Sequence, residues 1–190
     1  MGQYFMPILG DKSGLTCKVF DRSVDGKYTM AKLMEHSWWL NPFCNSFAEK
    51  IFKRKGRVIW CGDYAEDEDF DFKLDYAVYV PNEKEIWGET VKLYKSKSTN
   101  FTLDNKFLLN HDTKEFIDLN DYKKKSQDKD GWVIPPLPLL TAVGNDKGSG
   151  DFHEGNIGYE FVGCWAWHLL SIDEKVPKNF KKFDVIFKEI

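Results

Sequence analysis

Much of what usually announces a function is missing from this chain. Its four cysteines, Cys17, Cys44, Cys61 and Cys164, stand far apart and form no CxxC or other zinc-like pair, so they are expected to be reduced core residues. The four histidines are scattered, and no serine or cysteine sits in an elbow or triad context. Neither a GxxxxGK[ST] phosphate loop nor a GxGxxG dinucleotide fingerprint is present. No apolar stretch approaches the roughly 18 residues of a membrane span. The start, MGQYFMP, lacks a basic segment and a long apolar run, and Met6 stands where a myristoylation signal wants Ser or Thr. A cytoplasmic protein without a membrane partner is therefore expected. Lys and Arg total 27 against 30 Asp and Glu, a formal charge of -3, so no global positive field favours direct nucleic-acid binding.

What is present suits one globular domain, residues 1–190. The length is 190 residues, 42% are hydrophobic, and there are fifteen Phe, eight Tyr and seven Trp. A chain of this size buries roughly 70% of its unfolded surface and needs neither disulfides nor metal to hold a core. No cofactor is expected. Residues 120–131, NDYKKKSQDKDG, read as an exposed linker or loop within the domain.

The clearest local signal is a helix over 42–55. Asn41 caps it, Pro42 fits the first helical position, and Cys44, Phe47, Ala48, Ile51 and Phe52 recur on one face. Lys53, Arg54 and Lys55 suit its negative end, with Gly56 as a left-handed cap. A second, shorter helix over about 30–40 is expected from Met30, Leu33, Met34 and Trp38. Strands are expected at 4–9 and 16–20 as a hairpin, at 57–61, 76–80, 106–109 and 115–119, and late in the chain within 159–172 and 183–187, with an extended start at 132–134. Strands outnumber helices without βαβ alternation, which predicts an α+β fold: a mainly antiparallel sheet packed by one or two helices.

Two segments carry candidate chemistry. Between Asp63 and Asp75 seven acids face a single base, Lys73. Within this run Glu66, Asp67, Glu68, Asp69 and Asp71 interleave with Phe70 and Phe72, offering a basic partner both charge and apolar anchors. The 1, 3, 5 spacing of Asp67, Asp69 and Asp71 is no EF-hand, because Phe72 and Val78 occupy the positions that need Gly and Glu. Trp38-Trp39 is an adjacent pair of which one, with Trp39 the choice here, is expected to join the partner-binding surface. The alternative site is the loop 144–156, GNDKGSGDFHEGN, where Gly148 and Gly150 let backbone approach a ligand beside Asp151 and His153. That loop would serve a nucleotide- or metal-dependent hydrolase or a ligand-binding protein.

The blocks MGQYFMP (1–7), KLMEHSWW (32–39), RVIWCGDY (57–64), LLNHDTKEFIDL (108–119) and PLPLLTAVGNDKGSGDF (137–152) together resemble a family of small uncharacterised proteins of bacteriophages and bacteria. The resemblance implies a context in which small acidic proteins bind and block a host protein. It favours a non-catalytic protein-binding protein, such as a phage-type inhibitor of a host defence or nucleic-acid-processing factor, acting in the host cytoplasm on a protein with a basic cleft.

Overall fold

Six residues with hardly a polar side chain, Phe5–Gly10, form strand β1, and Cys17–Val24 returns beside it as β2 in an antiparallel hairpin with Ile8 opposite Val19. The computed structural model describes residues 3–14, 17–28, 32–34, 37–63, 65, 93–144 and 152–190. Among these, the strands are completed by β3 (Lys27–Tyr28), β4 (Gly56–Gly62), β5 (Leu93–Ser96), β6 (Phe107–Asn110), β7 (Glu115–Asp118), β8 (Ala142–Val143), β9 (Leu169–Asp173) and β10 (Lys181–Lys182). They make one sheet in the order β10-β7-β6-β9-β4-β1-β2-β3, with β5 added to β2 and β8 to β4. The α+β architecture expected from the sequence is present. The sheet is mixed, however, because β10 on β7, β5 on β2 and β8 on β4 all run parallel. Each of these strands returns after a long connection, and direction is set by that return rather than by the strand's own residues.

Helix α1 (Pro42–Lys50) begins as its sequence dictates, with the Asn41 side chain accepting from the N–H groups of Phe43 at 2.8 Å and Cys44 at 3.2 Å. It ends five residues short of the expected Lys55. The Lys53 N–H donates to Ile172 O and the Ile172 N–H to Ile51 O, so β9 captures the backbone that would have continued the helix. Lys53, at φ 55°, takes the left-handed position expected of Gly56. Phe47 and Ile51 are buried as expected, while Phe52 is half-buried against Phe101. Trp60 of β4 is fully buried and meets Phe43 and Phe47 edge-to-face at 5.6 and 5.2 Å between ring centres. On the opposite sheet face Met6, Ile8, Val19, Ile59, Cys61 and Val143 form a smaller cluster with Trp167. Burial on both faces explains why RVIWC shows no polar alternation.

Several further expectations need correction. The helix over 30–40 does not form in its described part: residues 33–34 and 39–40 are turns, and the Trp39 N–H donates to Val133 O, outside the segment. The linker 120–131 is helical in its first half, as α2 (Leu119–Ser126), capped by the Asp118 carboxylate on the N–H groups of Asn120 and Asp121. Tyr122 of α2 is buried and its hydroxyl donates to Ile134 O at 2.7 Å. Helix α3 (Pro136–Leu140) is a single buried turn. Within 159–172 only β9 is a strand; Tyr159–Phe161 is a 3-10 turn, and Gly163 at φ 77° lies so close to Ala142 O that a Cβ would stand 2.6 Å away. Residues 132–134 and 183–187 stay outside the ladder, although the Phe183 N–H donates to Phe116 O. The strand expected at 76–80 lies outside the described residues. Cys44 and Cys61 are buried, and burial pushes the Cys44 thiol up to about 12, whereas Cys164 is exposed.

Candidate functional site

A turn at 128–132 presents an exposed tryptophan. The Asp128 carboxylate accepts the N–H groups of Asp130 at 2.9 Å and Trp132 at 2.7 Å, and the Asp128 N–H donates to Trp132 O. Gly131, at φ 88°, supplies the left-handed residue the turn needs. The product is an indole held out from the surface, since Trp132 is 56% exposed although its backbone is tied down. Trp38 meets it edge-to-face, with ring centres 6.0 Å apart at 83°. Trp38 is positioned by the turn that links its carbonyl to the Asn41 N–H, immediately before α1.

Together the two indoles wall a groove of about 640 Å³. Apolar lining comes from Met34, Val133, Ile134 and Phe187, and polar lining from Asp128, Asp130, His153 and Glu189. Among the described residues of the lining, Lys188 is the one Lys or Arg. The C-terminal wall is fixed by a reciprocal pair of backbone bonds between Ile157 and Lys188, at 2.9 and 3.1 Å, and by the buried Phe187 ring packed on Phe152. Asp130 and Glu189 form no ion pair with another described residue. The His153 Nδ1–H donates to Glu154 O at 2.8 Å. In the neutral ring this leaves Nε2 as an acceptor.

A second polar cluster closes the other end of the β6–β9 pairing. Asn110 Nδ2 lies 2.8 Å from His168 Nδ1, and His111 Nε2 lies 2.8 Å from Ser171 Oγ. The Asp112 carboxylate accepts from Arg57 and from the Leu169 N–H, both at 3.1 Å, while Arg57 also donates to Trp167 O. Burial, reinforced by Lys55, lowers His111 to about 4, and burial also lowers His168. Ser171 is itself buried, 4% exposed. The contact between His111 and Ser171 ties the end of β6 to β9. Among the described residues no group of three or more His, Cys, Asp and Glu is placed to hold a metal ion, and no helix is long and apolar enough to cross a membrane.

The residues singled out in the sequence fare unevenly. Trp39 is buried, not on a binding surface: it stacks on Tyr122, its Nε1–H reaches Asp104 at 3.3 Å, and Lys123 lies over its ring. The backbone bond to Val133 turns Trp39 inward and leaves Trp38 to the groove. Glu66, Asp67, Glu68, Asp69, Phe70, Asp71 and Phe72 lie outside the described residues, as do Gly148, Gly150 and Asp151. His153 is exposed and belongs to the groove lining. Asp128 and Asp130 were missed because they fall in the supposed linker, and Trp132 because it reads as the start of an extended stretch at 132–134. The signal was there in DKDGW, an Asp and a Gly spaced for a turn just before a large aromatic residue. Comparison of the chain with family models, with curated proteins and with solved structures gives no match.

Proposed function

We propose that the chain is a non-catalytic protein-binding protein and that the groove between Trp38 and Trp132 is its docking face. The observation that carries this reading is the exposed, backbone-anchored Trp132 set against Trp38 beside the carboxylates of Asp130 and Glu189, which pair with no other described residue. Rigid aromatic anchors with a polar rim supply most of the energy at protein interfaces. Among the described residues of the lining three acids stand against Lys188, a balance that repels phosphate groups and argues against a nucleotide beside His153. The acidic aromatic run Glu66–Phe72 supports the same choice of a basic partner from the sequence side. The resemblance to phage proteins extends the proposal to an inhibitor of a host defence or nucleic-acid-processing factor.

The test places a photo-cross-linking residue at Trp132, and at Lys178 outside the lining as a control. A partner cross-linked from position 132 alone, whose retention falls about tenfold or more in Trp132→Ala, supports docking at the groove. Unchanged retention by Trp132→Ala, with equal cross-linking from both positions, refutes it.

A further inference from the structure

We propose that the groove reads an arginine side chain of the partner. This inference rests on the docking reading and names its ligand. The polar atoms offered by the lining are dominated by acceptors: the carboxylates of Asp128, Asp130 and Glu189, and His153 Nε2, freed because Nδ1 is committed to Glu154 O. A guanidinium carries five donors and no acceptor, so it matches this set without leaving a polar group of its own unpaired. The aromatic wall makes the same choice. Trp132 is 56% exposed and meets Trp38 edge-to-face and not as a covering stack, so indole surface is accessible to a planar group. A planar, weakly hydrated cation stacks on such a face better than a compact, strongly hydrated ammonium does. Apolar Met34, Val133 and Ile134 suit the three-carbon stem. Charge complementarity points the same way, because among the described residues of the lining three acids outnumber Lys188.

The experiment titrates the full chain with capped tripeptides Gly-Arg-Gly, Gly-Lys-Gly and Gly-citrulline-Gly. It follows the indole N–H resonances, assigned with Trp38→Phe and Trp132→Phe. The arginine peptide should shift both groove indoles saturably, with the lysine peptide about threefold weaker and the neutral citrulline peptide showing no saturable shift. The double variant Asp130→Asn, Glu189→Gln should weaken arginine binding about fivefold while the other resonances stay in place, which shows that the fold is kept. Equal binding of citrulline and arginine, or no shift of either groove indole up to about 10 mM arginine peptide, overturns the proposal. If the arginine preference fails while Trp132→Ala still releases the cross-linked partner, the docking face stands and only its ligand is wrong. If both fail, the docking reading falls as well.

Discussion

Lowering the pH should loosen the chain at His111 before it disturbs the aromatic core. The ring is half-buried, bonded to Ser171 and packed edge-on against Phe180. Its burial is the main reason the imidazolium is disfavoured; Lys55 and Lys12 add to this, while Asp112 and Asp173 partly offset it. The folded state therefore holds the neutral ring, with its midpoint lowered from 6.5 to about 4. Between those values the unfolded chain binds the extra proton, so stability rises with pH there. The contribution is complete above about pH 6.5 and is lost as the pH falls toward 4. A full shift of this size corresponds to roughly 3 kcal/mol, which solvent at the open edge of the ring reduces to about 1–2 kcal/mol. Urea unfolding of the wild type and of His111→Gln at pH 7.5 and pH 4.5 isolates it, since most of the acid sensitivity of the carboxylates is shared by both proteins and cancels in the difference. The wild type should lose about 1 kcal/mol more than the variant over this interval. Equal losses, or a smaller loss in the wild type, would refute the reasoning.

Three other outcomes follow from packing, backbone geometry and charge. Phe47→Ala removes a ring that is fully buried against Trp60 and Phe20, and should cost about 3–5 kcal/mol in denaturant unfolding. Gly163→Ala places a Cβ 2.6 Å from a backbone carbonyl at φ 77°, and a loss of about 2–3 kcal/mol by thermal unfolding is expected; no loss would mean that the 158–168 segment shifts freely. Replacing Glu66, Asp67, Glu68 and Asp69 with Ser should slow association with a basic partner and flatten its salt dependence, with little change in melting temperature; a wild-type rate would exclude steering by this run.

The start of α1 was legible because its signals are local and agree: cap, proline and apolar period all lie within a few residues of one another. Its end was not, because Lys53 and Ile172 are bonded across a long stretch of chain. The same distinction separates the strands. The hairpins β1–β2 and β6–β7 are short-range pairings whose turns announce them, and both are found. The parallel partners β5, β8 and β10 depend on where long connections return, and no residue within Ala142–Val143 says that β4 is the neighbour. Helix α2 was hidden for a different reason: its three consecutive lysines lie toward its C-terminal end, where they suit the helix dipole, and they drew attention from the Leu119, Tyr122 and Ser126 positions that it buries.

Site residues were harder to read, since exposure is a property of the whole fold. Adjacent tryptophans state that one aromatic ring is available for binding without saying which. That choice is made by a single backbone bond, Trp39 N–H to Val133 O, which lies in no local pattern. The same bond brings Val133, and with it Trp132, alongside Trp38. The pairing that buries Trp39 is thus the pairing that assembles the aromatic wall, which makes the groove a consequence of core formation and not a separate surface feature. If this is so, changes that unseat Trp39 will alter the groove indoles even though Trp39 never touches a ligand. Trp39→Phe, which keeps the ring stack on Tyr122 and loses the bond to Asp104, should destabilise the fold by about 1 kcal/mol and leave the contact between Trp38 and Trp132 in place. Trp39→Ala, by emptying the space beside Tyr122, should cost about 3–5 kcal/mol and shift both groove indole resonances in the folded fraction. Unmoved indoles in a folded Trp39→Ala protein would show that wall and core are independent.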